Sequence, residues 1–328
     1  METVWQMGIT FILAFQSLGS WLELPMRFFT FLGSEDFFLL MLPIIYWCIN
    51  ADMGVRVGTI LLLSSGINDI FKLAMRGPRP YWYSTLVKAM SAETSFGVPS
   101  GHSQTAVSVW GMLASRIKRP WAWPVAIAII LLIGLSRLYL AVHFPHDVLL
   151  GWLIGALLLS AFLAWWDKLA AWLKTKTLEM QISLAFAASL LLLAAGSLAF
   201  LSLQGWQIPP EWLANAASAG VDELPNPITL SGPITSAGAL FGLLAGLAWI
   251  KSRGGFDAGG PATQRILRYL LGLVGVAVFW YGLGAVFPRS EDLLSYILRY
   301  LRYTLIGLWI SAGAPYLFLR LKLAQKGD

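Results

Sequence analysis

Apolar stretches of about 20 residues recur along this 328-residue chain, and each is long enough to cross a membrane as a helix. Hydrophobic residues make up 57% of the chain and charged residues 12%, whereas a soluble domain carries about 25% charged residues. A soluble globular protein is therefore excluded. The pattern predicts an all-α integral membrane protein, a polytopic helical bundle of about nine transmembrane helices. The predicted spans lie near residues 36–51, 54–75, 102–118, 122–142, 146–166, 179–203, 231–251, 265–287 and 294–320.

The segment before the first span mixes aromatic and polar side chains. Residues 4–32 combine residues such as Trp5 and Trp21 with Gln16 and Arg27. This mixture is typical of a helix that lies in the membrane interface, so we expect an N-terminal interfacial helix. A tenth span in this segment is the alternative. No run of basic residues precedes a short apolar core, so we do not expect a cleaved signal peptide.

The basic residues indicate the orientation, because cytoplasmic loops of membrane proteins are rich in Lys and Arg. With the N-terminus outside, the inner loops hold 14 of the 23 Lys and Arg residues. The longest outer connection, residues 204–230, has no Lys or Arg but contains Glu211, Asp222 and Glu223. Nine spans with an internal C-terminus fit this alternation. Because the loops are compact and no retrieval signal is found, we expect a bacterial cytoplasmic membrane.

Net charge and cysteine content exclude several partners. The net charge is +6, but the cations do not cluster on one soluble surface, so no nucleic-acid partner is expected. The single Cys48 allows neither an internal disulfide nor a paired-cysteine redox or metal site. Gly238, Gly242 and Gly246 repeat every fourth residue and predict a close helix contact, which is more often within one chain than between subunits. An oligomer is therefore not indicated.

Three short polar patches fall at one predicted membrane face. The first runs from Lys72 to Pro80 and presents two fixed cations, Lys72 at a helix end and Arg79 in a proline-bounded turn. The second, from Pro99 to His102, opens the third span. The free backbone amides and the positive end of the helix dipole favour an anion there.

The third patch runs from Ser136 to Asp147 and joins the fourth and fifth spans. Pro145 is expected in the first turn of the fifth span, because proline is tolerated at the start of a helix. His143 then precedes this helix, and Asp147 lies within its first turn. A histidine and a carboxylate are thereby placed beside the cations of the other patches.

These patches resemble the signatures of the type 2 phosphatidic acid phosphatase superfamily, which includes lipid phosphate phosphatases, glucose-6-phosphatase and vanadium haloperoxidases. The signatures K-x6-RP, PSGH and SR-x5-H-x3-D fall, in order, on Lys72, Arg79 and Pro80; on Pro99–His102; and on Ser136, Arg137, His143 and Asp147. The resemblance implies a catalytic transmembrane domain over 36–166. It follows an N-terminal helix at 1–35 and precedes a four-helix C-terminal extension at 167–328, which the signatures do not reach.

The resemblance implies a covalent mechanism that needs no cofactor. His143 would attack phosphorus, Asp147 would hold its other ring nitrogen, and His102 would protonate the leaving oxygen. The phosphoryl oxygens would be held by Lys72, Arg79, Arg137, the Ser100 hydroxyl and the Gly101 amide. A metal site is the rival interpretation of the histidines and the aspartate. The surrounding cations argue against it, because they would repel a divalent ion.

The leading hypothesis is a metal-independent phosphatase that removes the terminal phosphate from a lipid phosphate or diphosphate at the outer membrane face, through a phosphohistidine. Its partners would be that phosphorylated lipid and the membrane lipids. A soluble phosphomonoester such as glucose 6-phosphate is the alternative substrate. The runs Arg79-Pro-Tyr-Trp and His143-Phe-Pro-His146 and the nine-span count are also similar to glucose-6-phosphatase. A lipid phosphotransferase and a lipid transporter with a decayed site are further alternatives.

Cysteine labelling tests the predicted orientation. In a Cys48→Ser background, Ser218→Cys in the outer loop should react with a membrane-impermeant thiol reagent in intact cells. Ser252→Cys should react only after permeabilisation, because it lies beside the inner basic residues. The reverse pattern would move the polar patches to the cytoplasm. Labelling of both cysteines in intact cells would show that the span count between them is wrong.

Overall fold

The computed structural model describes residues 2–327, and within that range every regular element is helical and no β-strand occurs. Short 3-10 or π-helical turns interrupt the helices at Ser20–Leu22, Ile45–Ile49, Val278–Gly282 and Trp309–Gly313. The helices are α1 (Glu2–Gln16), α2 (Glu23–Phe31), α3 (Glu35–Ile44), α4 (Ala51–Met75), α5 (Pro80–Tyr83), α6 (Gly101–Arg116), α7 (Ala122–Tyr139), α8 (Pro145–Lys174), α9 (Leu178–Leu201), α10 (Pro210–Ser218), α11 (Ser231–Lys251), α12 (Ala262–Ala277), α13 (Leu283–Val286), α14 (Leu293–Leu308) and α15 (Ala314–Arg320).

Six helical segments of the described chain are long and apolar enough to cross a membrane. They are Ala51–Tyr83, Ala122–Tyr139, Pro145–Lys174, Leu178–Leu201, Ser231–Lys251 and Ala262–Val286. An all-helical membrane protein is thus confirmed, but the count of nine spans is not. The other three predicted spans are helical without meeting the same test. One of them, α6, has only 16 residues.

The N-terminal segment forms two helices rather than the single helix that we expected. The second begins with the turn at Ser20–Leu22, and the two axes are bent by 91°. Together they are apolar enough to count as a seventh, broken span or as a re-entrant loop. Gly19 lies at the bend with φ 111°, a conformation that glycine adopts at little cost.

The chain divides into two compact units that are discontinuous in sequence. Unit 1 comprises Met1–Phe37, Ile67–Ser160 and Leu198–Thr229, and unit 2 comprises Phe38–Gly66, Ala161–Ser197 and Leu230–Asp328. All three signature patches lie in unit 1. Its apolar core includes Tyr81, Trp82, Phe96 and the consecutive residues 139–142, which directly precede the predicted nucleophile.

The N-terminal helices hold the polypeptide around the signature patches. The Gln16 amide donates to the carbonyl oxygens of Lys88 (2.8 Å) and Tyr139 (2.9 Å), while its oxygen accepts from the Lys88 amide at 3.1 Å. Arg27 donates to the carbonyl of Met90 at 2.9 Å. The loop from 84 to 100 is therefore fixed by α1 and α2, which gives these helices a structural role in the site.

In unit 2, the predicted glycine contact is confirmed within the chain. A Cβ added to Gly238 would lie 2.6 Å from the carbonyl oxygen of Tyr300, and one added to Gly242 would lie 2.1 Å from that of Thr304. The Thr304 hydroxyl donates to the Gly238 carbonyl at 3.2 Å. The absent side chains thus allow α11 and α14 to pack backbone against backbone.

Gly242→Ala should destabilise the protein, because the new methyl group would collide with backbone that cannot rotate away. We expect a loss of about 1–3 kcal/mol in the free energy of unfolding, the usual cost of overpacking. Gly282→Ala is the matched control, since nothing lies within 4 Å of its added Cβ. Thermal unfolding of the detergent-solubilised variants measures both changes. Equal melting temperatures for the two variants would contradict the close contact.

Candidate active site

His143 and Asp147 form a pair at the junction of α7 and α8. The chain turns sharply after α7, with Ala141 at φ 58°, and the His143 amide donates to the Arg137 carbonyl at 3.3 Å. The imidazole Nδ1 of His143 lies 3.4 Å from Oδ2 of Asp147, which also accepts from the Phe144 amide at 2.9 Å. The carboxylate therefore faces Nδ1 and leaves Nε2 as the nitrogen available for attack.

Arg79 lies on the other side of the His143 ring. Its side chain is fully buried, and Nη1 is 3.4 Å from Nε2 of His143 and donates to the Val142 carbonyl at 2.9 Å. Nε donates to the Ser95 carbonyl at 2.7 Å, and Nη2 donates to the Ser95 hydroxyl at 3.0 Å. A cation is thus fixed beside the nitrogen that would attack phosphorus.

The surroundings of His143 favour the neutral ring. Burial, together with the positive charges of Arg79 and Arg137, holds the pKa of His143 well below its ordinary value. A neutral imidazole keeps a lone pair on one nitrogen, which nucleophilic attack requires. The same cations that would bind a phosphate therefore also keep the predicted nucleophile unprotonated.

Lys72 and Arg79 are joined through one hydroxyl group. Lys72 lies in the last turn of α4 and its Nζ donates to the Ser95 hydroxyl at 2.8 Å. Because the same oxygen accepts from Arg79, Ser95 holds both cations in one place. Ser95 belongs to none of the signatures, and the sequence analysis did not identify it.

The second patch forms the start of α6. The Ser100 hydroxyl caps this helix, accepting from the Ser103 amide at 3.4 Å and from the Ser103 hydroxyl at 3.0 Å. The Ser100 amide donates to the Asp147 carbonyl at 3.0 Å, which places α6 beside α8. A Cβ on Gly101 would lie 2.9 Å from Oδ1 of Asn68, so only glycine fits there without displacement.

His102 follows in the first turn of α6 and faces the charged groups. It interacts electrostatically with Arg137, Glu93, Lys72 and Arg79, and it also acts on His143. Its ring makes no hydrogen bond to another side chain or to backbone within residues 2–327. The imidazole is therefore available to exchange a proton with a bound molecule.

The third cation, Arg137, is paired with a carboxylate that the sequence analysis missed. Arg137 lies in the last turn of α7, 2% exposed, and donates to Glu93 and to the Thr30 hydroxyl. The other carboxylate oxygen of Glu93 is 3.7 Å from Nη2 of Arg79. Burial opposes the charge of Glu93, but Arg79 and Arg137 outweigh it and hold the pKa of Glu93 below its ordinary value.

A signal for Glu93 was present in the sequence. Three cations that converge in one place need a counter-charge, and Glu93 is the only acidic residue between positions 84 and 100. Thr30 had no such signal, because its contact depends on how α2 packs against α7.

His146, which the signature does not include, approaches Asp147 from a second side. Its ring stacks on Phe144 with a centroid distance of 5.4 Å, and its Nε2 lies 3.1 Å from Oδ1 of Asp147. His146 therefore contacts the carboxylate that holds His143, whereas a histidine outside the signatures would be expected only to face the membrane interface.

The described residues contain no group of three or more His, Cys, Asp and Glu side chains that could hold a metal ion. The charged groups around His143 include the three cations and the carboxylates of Glu93 and Asp147, and two more carboxylates, Asp69 and Glu35, lie near Lys72. Independence from metal remains a prediction to be tested by chelation.

A buried set of fixed cations beside a neutral histidine suits a reaction at a phosphate group. The family model described as "PAP2 superfamily" matches residues 54–171, which include all three signatures. A second one, described as "PAP2 superfamily phosphatase, transmembrane extension", matches residues 234–326. The chain therefore belongs to the PAP2 superfamily, and it is a membrane-bound phosphatase. The second match also brings most of the C-terminal helices, which the signatures left unassigned, into the same superfamily.

Individual relatives share this chemistry. Glucose-6-phosphatase 3 of Bos taurus is 30% identical over 353 aligned positions, covering 97% of this chain and 96% of that protein. Sphingosine-1-phosphate phosphatase 2 of Mus musculus is 30% identical over 146 positions, 42% of this chain and 41% of that protein. Among solved structures, a transmembrane PAP2 type phosphatidylglycerolphosphate phosphatase from Bacillus subtilis is 26% identical, with a TM-score of 0.46, and covers 51% of this chain and 88% of that one.

The role of His102 can be separated from that of His143 by the choice of leaving group. His102→Ala should lower kcat/KM, which reports only the step that releases the leaving group, by about 100-fold to 10,000-fold on an alkyl phosphate, the usual contribution of a general acid. The loss on nitrophenyl phosphate should be much smaller, because nitrophenolate leaves without protonation. His143→Ala serves as the comparison, since loss of the nucleophile should affect both substrates equally. Equal losses in His102→Ala would argue against the acid role.

Proposed function

We propose that this phosphatase hydrolyses a soluble phosphomonoester, and that glucose 6-phosphate is the first substrate to test. The observation that carries the proposal is the similarity to glucose-6-phosphatase 3 over 97% of the chain, including the C-terminal extension. The match to sphingosine-1-phosphate phosphatase 2 covers only 42% of the chain. A substrate class is more securely inferred from a relative that shares both parts of the protein.

Lipid phosphates and lipid diphosphates, which the signature analysis put first, are the second candidate. The similarity to sphingosine-1-phosphate phosphatase 2 supports them, as does the position of the site at the ends of membrane-spanning helices. The signature residues would contact the phosphate in either case, so they do not separate the two classes.

The proposed reaction has two steps. In the first, Nε2 of His143 attacks phosphorus, a P–N bond forms, and the bond from phosphorus to the leaving oxygen breaks while His102 gives that oxygen a proton. Asp147 holds Nδ1–H and stabilises the positive charge that develops on the ring. In the second, water attacks the phosphohistidine, His102 takes a proton from the water, and inorganic phosphate and neutral His143 are regenerated.

The three cations would stabilise the transition state of both steps. Lys72, Arg79 and Arg137 are held in position by Ser95, backbone carbonyls and Thr30, so the three cations themselves need little reorganisation when phosphate binds. Donors fixed in this way are typically worth about 3–4 kcal/mol each. The amides in the first turn of α6 would add donors for the same oxygens.

The proposed location of the site is the extracytoplasmic face of the membrane. The distribution of basic residues supports it, because the inner loops of the predicted topology are basic and the connection at 204–230 is acidic. The relatives named above, which match most or part of this chain, include mammalian proteins, so a bacterial cytoplasmic membrane stays a prediction.

A substrate comparison tests the proposed function. Purified protein in detergent should release phosphate from glucose 6-phosphate with a higher kcat/KM than from phosphatidate or sphingosine 1-phosphate. EDTA should have no effect. His143→Ala should lose at least about a thousandfold in activity, because the nucleophile is removed. A preference for the lipid phosphates would replace the first candidate with the second. Activity that EDTA abolishes and magnesium or zinc restores would reject the metal-independent mechanism.

A further inference from the structure

We propose that Glu93 is a competing anion built into the phosphate site. Its carboxylate pairs with Arg79 and Arg137 when no phosphate is bound, and it must leave these arginines when phosphate binds. The inference rests on the proposed function, since it concerns regulation of the same site. It makes Glu93 a positioning residue that limits how tightly the product phosphate is held.

The contacts of the two arginines carry the proposal. Arg79 and Arg137 are 0% and 2% exposed, and Glu93 is the only carboxylate of the described chain within 4 Å of either guanidinium. One carboxylate oxygen accepts from Arg137, and the other lies 3.7 Å from Arg79. Glu93 therefore spans both cations with two oxygens, as two oxygens of a phosphate would.

A phosphate and the Glu93 carboxylate cannot both lie beside Arg79 and Arg137 at the same time. Both are anions attracted by the charges of Arg137 and Arg79, and the carboxylate already accepts an N–H group of Arg137. Like charges at such short range repel strongly where water is largely excluded. Binding of a phosphate dianion therefore requires the carboxylate to move away.

The surroundings of Glu93 allow the side chain to move without the loop. The Tyr81 hydroxyl donates to the Glu93 carbonyl at 2.9 Å and accepts from the Glu93 amide at 2.9 Å, so the backbone is fixed to a fully buried side chain. The Glu93 side chain is 27% exposed, in contrast to the arginines. Rotation about its side-chain bonds would take the carboxylate towards solvent while its backbone stays in place.

This arrangement has two consequences for turnover. With the site empty, the carboxylate neutralises buried cations and keeps their guanidinium groups in place. After hydrolysis, the returning carboxylate competes with the product for the same two arginines. Product phosphate is therefore bound less tightly than three fixed cations alone would bind it.

Inorganic phosphate is the probe that tests this role. Glu93→Gln keeps the shape of the side chain but removes its charge, so it should lower the inhibition constant for inorganic phosphate by about tenfold or more. The rise in Tm that phosphate induces should begin at a correspondingly lower concentration. Glu211→Gln is the control, because it removes the same charge from an exposed position on α10 and should change neither value.

A second variant covers the case in which Glu93→Gln does not fold. Glu93→Asp keeps the charge but shortens the reach towards the arginines, and it should tighten phosphate binding by a smaller factor. Unchanged or weaker phosphate binding in either folded variant would overturn the proposal and leave Glu93 as a structural partner of the arginines. The Tm measurement needs no turnover. Tighter binding in a protein that hydrolyses none of the substrates would therefore count against the proposed function alone.

Discussion

The burial of Arg79 beside His143 is the interaction on which the rest of the site depends. A guanidinium removed from water is costly unless its N–H groups find acceptors. Here the acceptors come from Ser95, Phe96 and Val142, which belong to the loop before α6 and to the junction before α8. The hydrogen bonds that compensate the burial of Arg79 thus bring two distant parts of the chain together and set the position of the predicted nucleophile.

The other charged groups extend this arrangement. Lys72 is connected to Arg79 through the Ser95 hydroxyl, and Arg137 is connected to Arg79 through Glu93. The cations are therefore in place before any substrate arrives, and their mutual repulsion is offset by Glu93 and by carbonyl oxygens. The fold holds these cations in a region that excludes water, which is the condition under which electrostatic stabilisation of a phosphoryl transition state is largest.

Much of the site was predictable because the signatures place its residues at helix ends. Lys72 in the last turn of α4, the patch with Ser100 at the start of α6, and Asp147 near the start of α8 were expected positions. Glu93 and Ser95 were not identified, because the loop between α5 and α6 has no periodic pattern and its course is set by contacts with distant residues.

The bends and breaks of the helices were not predicted. Apolar runs identified the helices, but a run does not show where a helix bends or breaks. The 91° bend between α1 and α2 and the π-helical turn at Ile45–Ile49 are examples. The last predicted span was expected to be one continuous helix, and hydropathy likewise does not reveal its π-helical turn at Trp309–Gly313.

The hydrogen bond from Gln16 to the Tyr139 carbonyl joins residues that are 123 positions apart. A ribosome delivers them to the membrane in that order, at about 5–20 residues per second. For that interval α1 is present while the helix that supplies its acceptor has not yet been made. The loop that carries Glu93 and Ser95 emerges after α1 and α2, which hold it, but before Arg137, with which Glu93 pairs. Assembly of the phosphate site must therefore be a late event in biogenesis, completed only after α7 and the start of α8 have emerged.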